Sequence, residues 1–145
     1  MAAAMMVWSF VAPSSAAQDA DYTAVASPFQ EDYDYQIGAD LRPLVAVDGV
    51  RWTRFSIRPK NDREYEPTKP VPVTVEIDLV NNGDSADVLL IVLFEDESGT
   101  ALDRLELDKI GVGRGRPKEE VQKHKVTASV LEATRKIYLF FEVTR

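Results

Sequence analysis

From Val71 to Leu79 apolar and polar residues alternate without a break. Val71, Val73, Val75, Ile77 and Leu79 share one side of an extended backbone, and Pro72, Thr74, Glu76 and Asp78 share the other. That period of two predicts a strand with one buried and one wet face. At Asn81-Asn82-Gly83-Asp84 the chain meets residues that tolerate positive φ and can reverse. It then enters Val88 to Phe94, which is apolar on both faces. Two-sided apolarity predicts a central strand whose outer side is covered by a loop of the same chain, with cover by a second subunit as the alternative.

The same pattern recurs on both sides of this pair. Val45, Val47, Val50, Trp52, Phe55 and Ile57 change phase around Asp48-Gly49, which predicts a first strand or bent strand pair with a turn or bulge at that glycine. Residues 59–70 read as a polar loop. Glu95-Asp96-Glu97-Ser98-Gly99 is a second turn, and Leu102, Leu105 and Leu107 give a further strand with Arg104, Glu106 and Asp108 facing out. Three glycines and a proline between Gly111 and Pro117 predict a loop. Val126 and Ala128 continue an alternation through Gln122 to Ala128, so that segment reads as a strand, with one helical turn capped by Ser129 after it. Lys136 to Thr144 closes the series, with Ile137, Leu139, Phe141 and Val143 inward and Tyr138, Phe140 and Glu142 outward. Short strands at this spacing predict an all-β, immunoglobulin-like antiparallel β-sandwich of about seven strands over residues 45–145.

The stretch Val73-x-Val75-x-Ile77-x-Leu79-Val80-Asn81-Asn82-Gly83, followed by an apolar strand and Glu95-Asp96-Glu97-Ser98-Gly99, resembles bacterial immunoglobulin-like modules of the CARDB and FxLYD type. The likeness covers residues 71–145. It implies an envelope-associated binding, spacer or assembly module in which the Asn-Gly turn is architectural, so no catalytic or binding residue carries over. The chain departs from it in the single copy of the module and in the Arg/Lys-rich segment after Gly111.

Ahead of the sandwich the pattern fails. Met5 to Val11 form a short apolar stretch, and Pro13 to Ala17 supply the small residues of a signal-peptidase site, although no Lys or Arg precedes them. The expectation is a signal peptide over 1–17 and export to the periplasm or beyond; the stretch is too short to span a bilayer. Residues 18–44 show no sustained period and are rich in Asp, Ala, Tyr and Ser, which predicts a mobile, extended, acidic arm that serves as a spacer, with docking on a partner through Tyr33 and Tyr35 as the alternative.

Charge narrows the partners. A net charge of −7 over 145 residues repels nucleic acid and anionic membranes. The sign is uneven: residues 109–145 carry nine basic residues against four acids. Arg114, Arg116 and Lys118 in the glycine-rich loop therefore offer forks for a carboxylate or other anion on a partner. No cysteine is present, which removes disulfides, thiolate catalysis and Cys-ligated zinc.

Little else suggests chemistry. The one histidine, His124, lies between Lys123 and Lys125 and reads as solvated. Gly111-x-Gly113-x-Gly115 lacks the ending of a phosphate-binding loop. Asp84 with Asp87, and Glu95 to Glu97, lack calcium-loop spacing and read as acidic turns. The expectation is a non-enzymatic module, without cofactor or metal, that binds an envelope protein and is compatible with oligomers. Its rival is a small-ligand or carbohydrate-binding sandwich using Tyr138 and Phe140, the aromatic pair on the outward side of the last strand.

Overall fold

Residues 22–26, 28–60 and 65–145 are described by the computed structural model. The signal-peptide reading of residues 1–17 lies outside them. Among the described residues eleven strands and one short helix are formed. In order they are β1 (Thr23–Val25), β2 (Phe29–Asp34), β3 (Asp40–Leu41), β4 (Val45–Val47), β5 (Val50–Pro59) and β6 (Pro70–Asn81), then β7 (Ala86–Glu95), β8 (Ala101–Glu106), β9 (Ile110–Val112), β10 (Pro117–Thr127), α1 (Ala128–Ala133) and β11 (Lys136–Thr144). The first sheet runs β1-β4-β5-β6-β10 with β3 beside β5. The second runs β2-β11-β7-β8 with β9 beside β7.

The two sheets pack face to face as an all-β sandwich, because each strand turns its apolar set inward. β6 alternates along its whole length, with Val71, Val73, Val75, Ile77 and Leu79 buried. From the facing sheet come Val88, Leu90, Val92 and Phe94 of β7 and Ile137, Leu139 and Phe141 of β11. The sheets meet at Trp52 of β5, whose ring centroid lies 5.1 Å from Phe141 and 5.7 Å, edge-on, from Phe55. Its indole N–H donates to the Arg54 carbonyl at 3.1 Å, so the one polar atom of the largest core side chain is satisfied.

Two devices produce the phase changes read around Trp52. Asp48 and Gly49 both have positive φ, 46° and 83°, and join Val47 to Val50 in a two-residue hairpin. A bulge between Trp52 and Arg54 then shifts the register, so that Trp52 and Phe55 can both face the core. The turn after β6 works differently from the expectation. Gly83 is not in the positive-φ set. The fully buried Asn81 side chain shapes this turn: it accepts from the Gly83 amide at 2.9 Å and donates to the carbonyls of Asp84 and Val112 at 2.8 and 3.2 Å. Gly83 instead leaves space, since a Cβ there would stand 2.8 Å from the Arg145 guanidinium.

Several expectations need correction. Residues 29–34 are no mobile arm: they form β2, which pairs antiparallel with β11 from Phe29↔Phe141 to Lys136↔Asp34. The sandwich therefore starts well before residue 45, and β1 adds a short parallel pairing to β4. Part of the glycine-rich loop is the strand β9. β10 extends over eleven residues, from Pro117 to Thr127, and α1 follows with Thr127 as its N-cap and no side-chain cap bond, rather than a Ser129 cap. No helix among the described residues is long and apolar enough to cross a membrane.

Candidate functional site

The residues expected to act together lie on three separate parts of the molecule. Tyr33 and Tyr35 are turned toward the interior. The Tyr33 ring packs 6.4 Å from Phe29, and burial, with the charge of Glu31 adding to it, pushes its hydroxyl up to about 12. Tyr35 is buried, accepts from the Ile57 amide at 2.9 Å and donates to the Ala39 carbonyl at 2.7 Å. That tyrosine fastens the β2–β3 connection to β5, so its hydroxyl is taken up within the chain, while Tyr33 is only half-buried.

Arg114 and Arg116 lie in the loop between β9 and β10, and Lys118 is the second residue of β10. Arg114 is 3.4 Å from Asp84, and Lys118 is 3.7 Å from Glu120. Exposed pairs of this kind are weak, on the order of 0–1 kcal/mol, but they leave Arg116 as the member of the trio with no ion pair among the described residues. Arg145 is occupied by the neighbouring turns, donating to the carbonyls of Asp84 and Asp48 and to Asn81 Oδ1. This end of the sandwich is knitted together by its own chain.

His124 is half-buried on the core-facing side of β10, opposite Val73, and is not simply solvated. Its Nε2 lies 2.8 Å from Gln122 Oε1. Gln122 Oε1 also accepts from the Asp108 amide, while Gln122 Nε2 donates to the Asp108 carbonyl, both at 2.8 Å. An acceptor oxygen faces His124, so His124 Nε2 carries the proton. The group ties the β8–β9 connection to the edge of the first sheet. Asp96, one of the acids weighed as a cation ligand, is likewise taken up by its turn. It accepts from the Ser98 hydroxyl and amide and from the Thr100 amide at 2.7, 2.9 and 3.0 Å. These bonds, that of the Ser98 hydroxyl foremost, hold its carboxyl below the ordinary value.

Tyr138 and Phe140 are a different matter. Opposite them in the register of β11 and β7 stand Leu93 and Ile91, and the next outward pair is Glu142 with Leu89. Among the described residues no loop roofs the outward side of β7, contrary to the cover that its two-sided apolarity predicted. Leu89, Ile91, Leu93, Tyr138 and Phe140 form one continuous half-exposed surface on the outside of the second sheet. The Tyr138 hydroxyl donates to Gln30 Oε1 of β2 at 2.8 Å, which fixes its ring across the strand boundary.

Charged groups ring this surface. On β2, Asp32 stands beside Tyr138 and Asp34 beside Lys136. On β8, Arg104 is opposite Leu93 and Glu106 opposite Ile91, 3.8 Å apart from each other's charged atoms. Glu95 follows Leu93 on the same side of β7. Burial pushes its carboxyl up to about 7, assisted by a hydrogen bond to Asp32 and by the Asp32 charge, against the opposing charge of Lys136. Chemically the arrangement is a flat apolar platform with an acidic margin, suited to contact and lacking any nucleophile at its centre.

No protein-family model matches the chain, and no curated protein matches it. Among solved structures, the chain is similar in outline to the RGD-containing host-selective toxin ToxA of Pyrenophora tritici-repentis, with a TM-score of 0.38 and 6% identity over 86% of this chain and 96% of that one.

Proposed function

We propose that the chain is an exported, non-enzymatic β-sandwich module that binds or organises proteins of the bacterial cell envelope. The observation that carries this reading is the five-residue apolar surface on the outer side of β7 and β11. Solvent-facing sheet positions ordinarily hold polar residues, and a contiguous apolar patch marks a contact surface. The signal-like start supplies the export part of the proposal. Immunoglobulin-like topology belongs to it as well. With β5-β6-β10 as strands A, B and E and β8-β7-β11-β2 as C′, C, F and G, every neighbour pair is antiparallel as the frame requires. It differs in that the last strand, G, is supplied from the N-terminal side by β2, that β4, β1 and β3 extend the first sheet beyond β5 while among the described residues no strand D flanks β10, and that β9 pairs with β7. A CARDB- or FxLYD-like module remains part of the reading, carried by the Val73 to Gly83 pattern.

The test is a photo-crosslinking residue at Ile91 in the exported protein. Discrete protein adducts are expected there and not at Thr74, on the outer side of the other sheet; adducts at neither position would sink the proposal. A carbohydrate-binding reading draws on the side-by-side Tyr138 and Phe140. Glycan-array binding lost in Tyr138→Ala would favour it.

A further inference from the structure

Resting on the contact-surface reading above, we infer that the outer face of β7 and β11 receives a positively charged, apolar protein segment, one that sets Lys or Arg around aliphatic or aromatic anchors. Charge complementarity selects this occupant. Asp32 and Asp34 line one margin, Glu142 stands at one end beside Leu89, and Glu106 lines the other margin. Against them the face sets Lys136, opposite Asp34, and Arg104, paired with Glu106, which leaves Asp32 and Glu142 as the acidic excess. A surface with this excess steers and orients cationic partners and rejects anionic ones.

The alternatives fail on the same ground. Two copies meeting face to face through this platform set one net-acidic face against another. Anionic lipid headgroups and nucleic acid carry the repelled sign. The other apolar candidate on a second copy is Val121 of β10, 60% exposed, but Glu76 stands opposite it and Glu119 lies two residues away on the same side. An acidic face cannot match that acidic neighbourhood. The apolar centre gives the platform its contact energy, and the margin chooses who reaches it.

The probes are three synthetic peptides: one alternating Lys with Leu and Trp, one with every Lys replaced by Glu, and one keeping Lys with Ser in place of Leu and Trp. Each is titrated into the isotope-labelled full chain and followed by amide chemical shifts. The Lys/Leu/Trp peptide is expected to shift amides of Leu89 to Leu93 and Tyr138 to Glu142, and to bind at least about tenfold more weakly at molar salt, where the screening length falls to about 3 Å. Asp32→Asn combined with Glu142→Gln weakens it several-fold, and Ile91→Ser or Phe140→Ser weakens it further while circular dichroism stays unchanged. If the Glu peptide shifts the same amides as strongly, the cationic partner is wrong although the contact surface stands. If no peptide moves them, both readings fail. If the Lys/Ser peptide binds as well as the Lys/Leu/Trp peptide, the inference is overturned in favour of bare charge attraction.

Discussion

The two outer faces of this sandwich are built from the same kind of strand and carry opposite surfaces. On the first sheet, Arg54 sits among Glu76 at 2.7 Å, Asp40 at 3.3 Å and Asp78 at 3.7 Å, joining β3, β5 and β6. The Glu76 hydrogen bond foremost, and the surrounding carboxylates, raise the Arg54 guanidinium above its ordinary value. Arg58 adds a bond to Asp40 at 3.0 Å. On the second sheet the corresponding central positions are Leu89, Ile91, Leu93, Tyr138 and Phe140. The first face meets the charges at its centre within the chain and, among the described residues, leaves only the isolated Val121 as exposed apolar area at its β10 edge. The second leaves apolar area in contact with water, a cost without return unless something else covers it.

The sharpest break in that comparison comes from neighbouring residues of β11. Leu139 is buried between the sheets and Phe140 points out. Leu139→Ala is expected to lower the unfolding free energy by about 2–5 kcal/mol, and Phe140→Ala by about 1 kcal/mol or less, measured by denaturant titration with unchanged slope. Equal losses would mean that Phe140 is covered by its own chain.

Next is the pH response of the second face. The Glu95 carboxyl is raised from 4.5 to about 7 in the folded protein, so between those values the folded state holds more protons than the unfolded one. Its stabilising contribution is full below about 4.5 and is lost as pH rises through about 7. Unfolding free energy from this group should therefore fall across that window. Glu95→Gln should flatten the slope, and Asp32→Asn should lessen it by removing the facing carboxylate; an unchanged slope in both variants would exclude the pair.

Smaller again is the contribution of the charged face. Arg54→Met should cost about 0.5–1 kcal/mol at low salt and less at high salt, as expected for partly exposed ion pairs. Insensitivity to salt would show that packing, and not charge, is what Arg54 supplies. Smallest is Tyr138→Phe, which removes one exposed hydrogen bond to Gln30 and should change stability by under about 0.5 kcal/mol while leaving peptide binding intact. Lost binding would move the recognition from the apolar ring to the hydroxyl.

How far the sequence revealed this depends on where each strand sits. β6 was readable because a mid-sheet strand with one wet face alternates cleanly through Val71 to Leu79. β2 was not, because it is an edge strand: Glu31 falls on the inward side opposite Leu139 and is still exposed, which breaks the alternation between Phe29 and Tyr33. The acidic run that suggested an arm is the outer, wet side of that strand. Tyr35 gave no local sign of its bond to Ile57, which is made 22 residues away. The platform was half visible, in the two-sided apolarity of Val88 to Phe94 and in the outward phase of Tyr138 and Phe140. Their joining depends on the β7–β11 register, which sets Leu93 opposite Tyr138 across 45 residues of chain, and no local pattern encodes such a pairing.

The central claim is that this platform is open in the free protein, and thiol labelling tests it most directly, since the chain has no cysteine of its own. Ile91→Cys in the native protein should react many-fold faster than Val92→Cys, which is one residue on, faces the core and should stay protected. Equal protection of both positions would contradict the account.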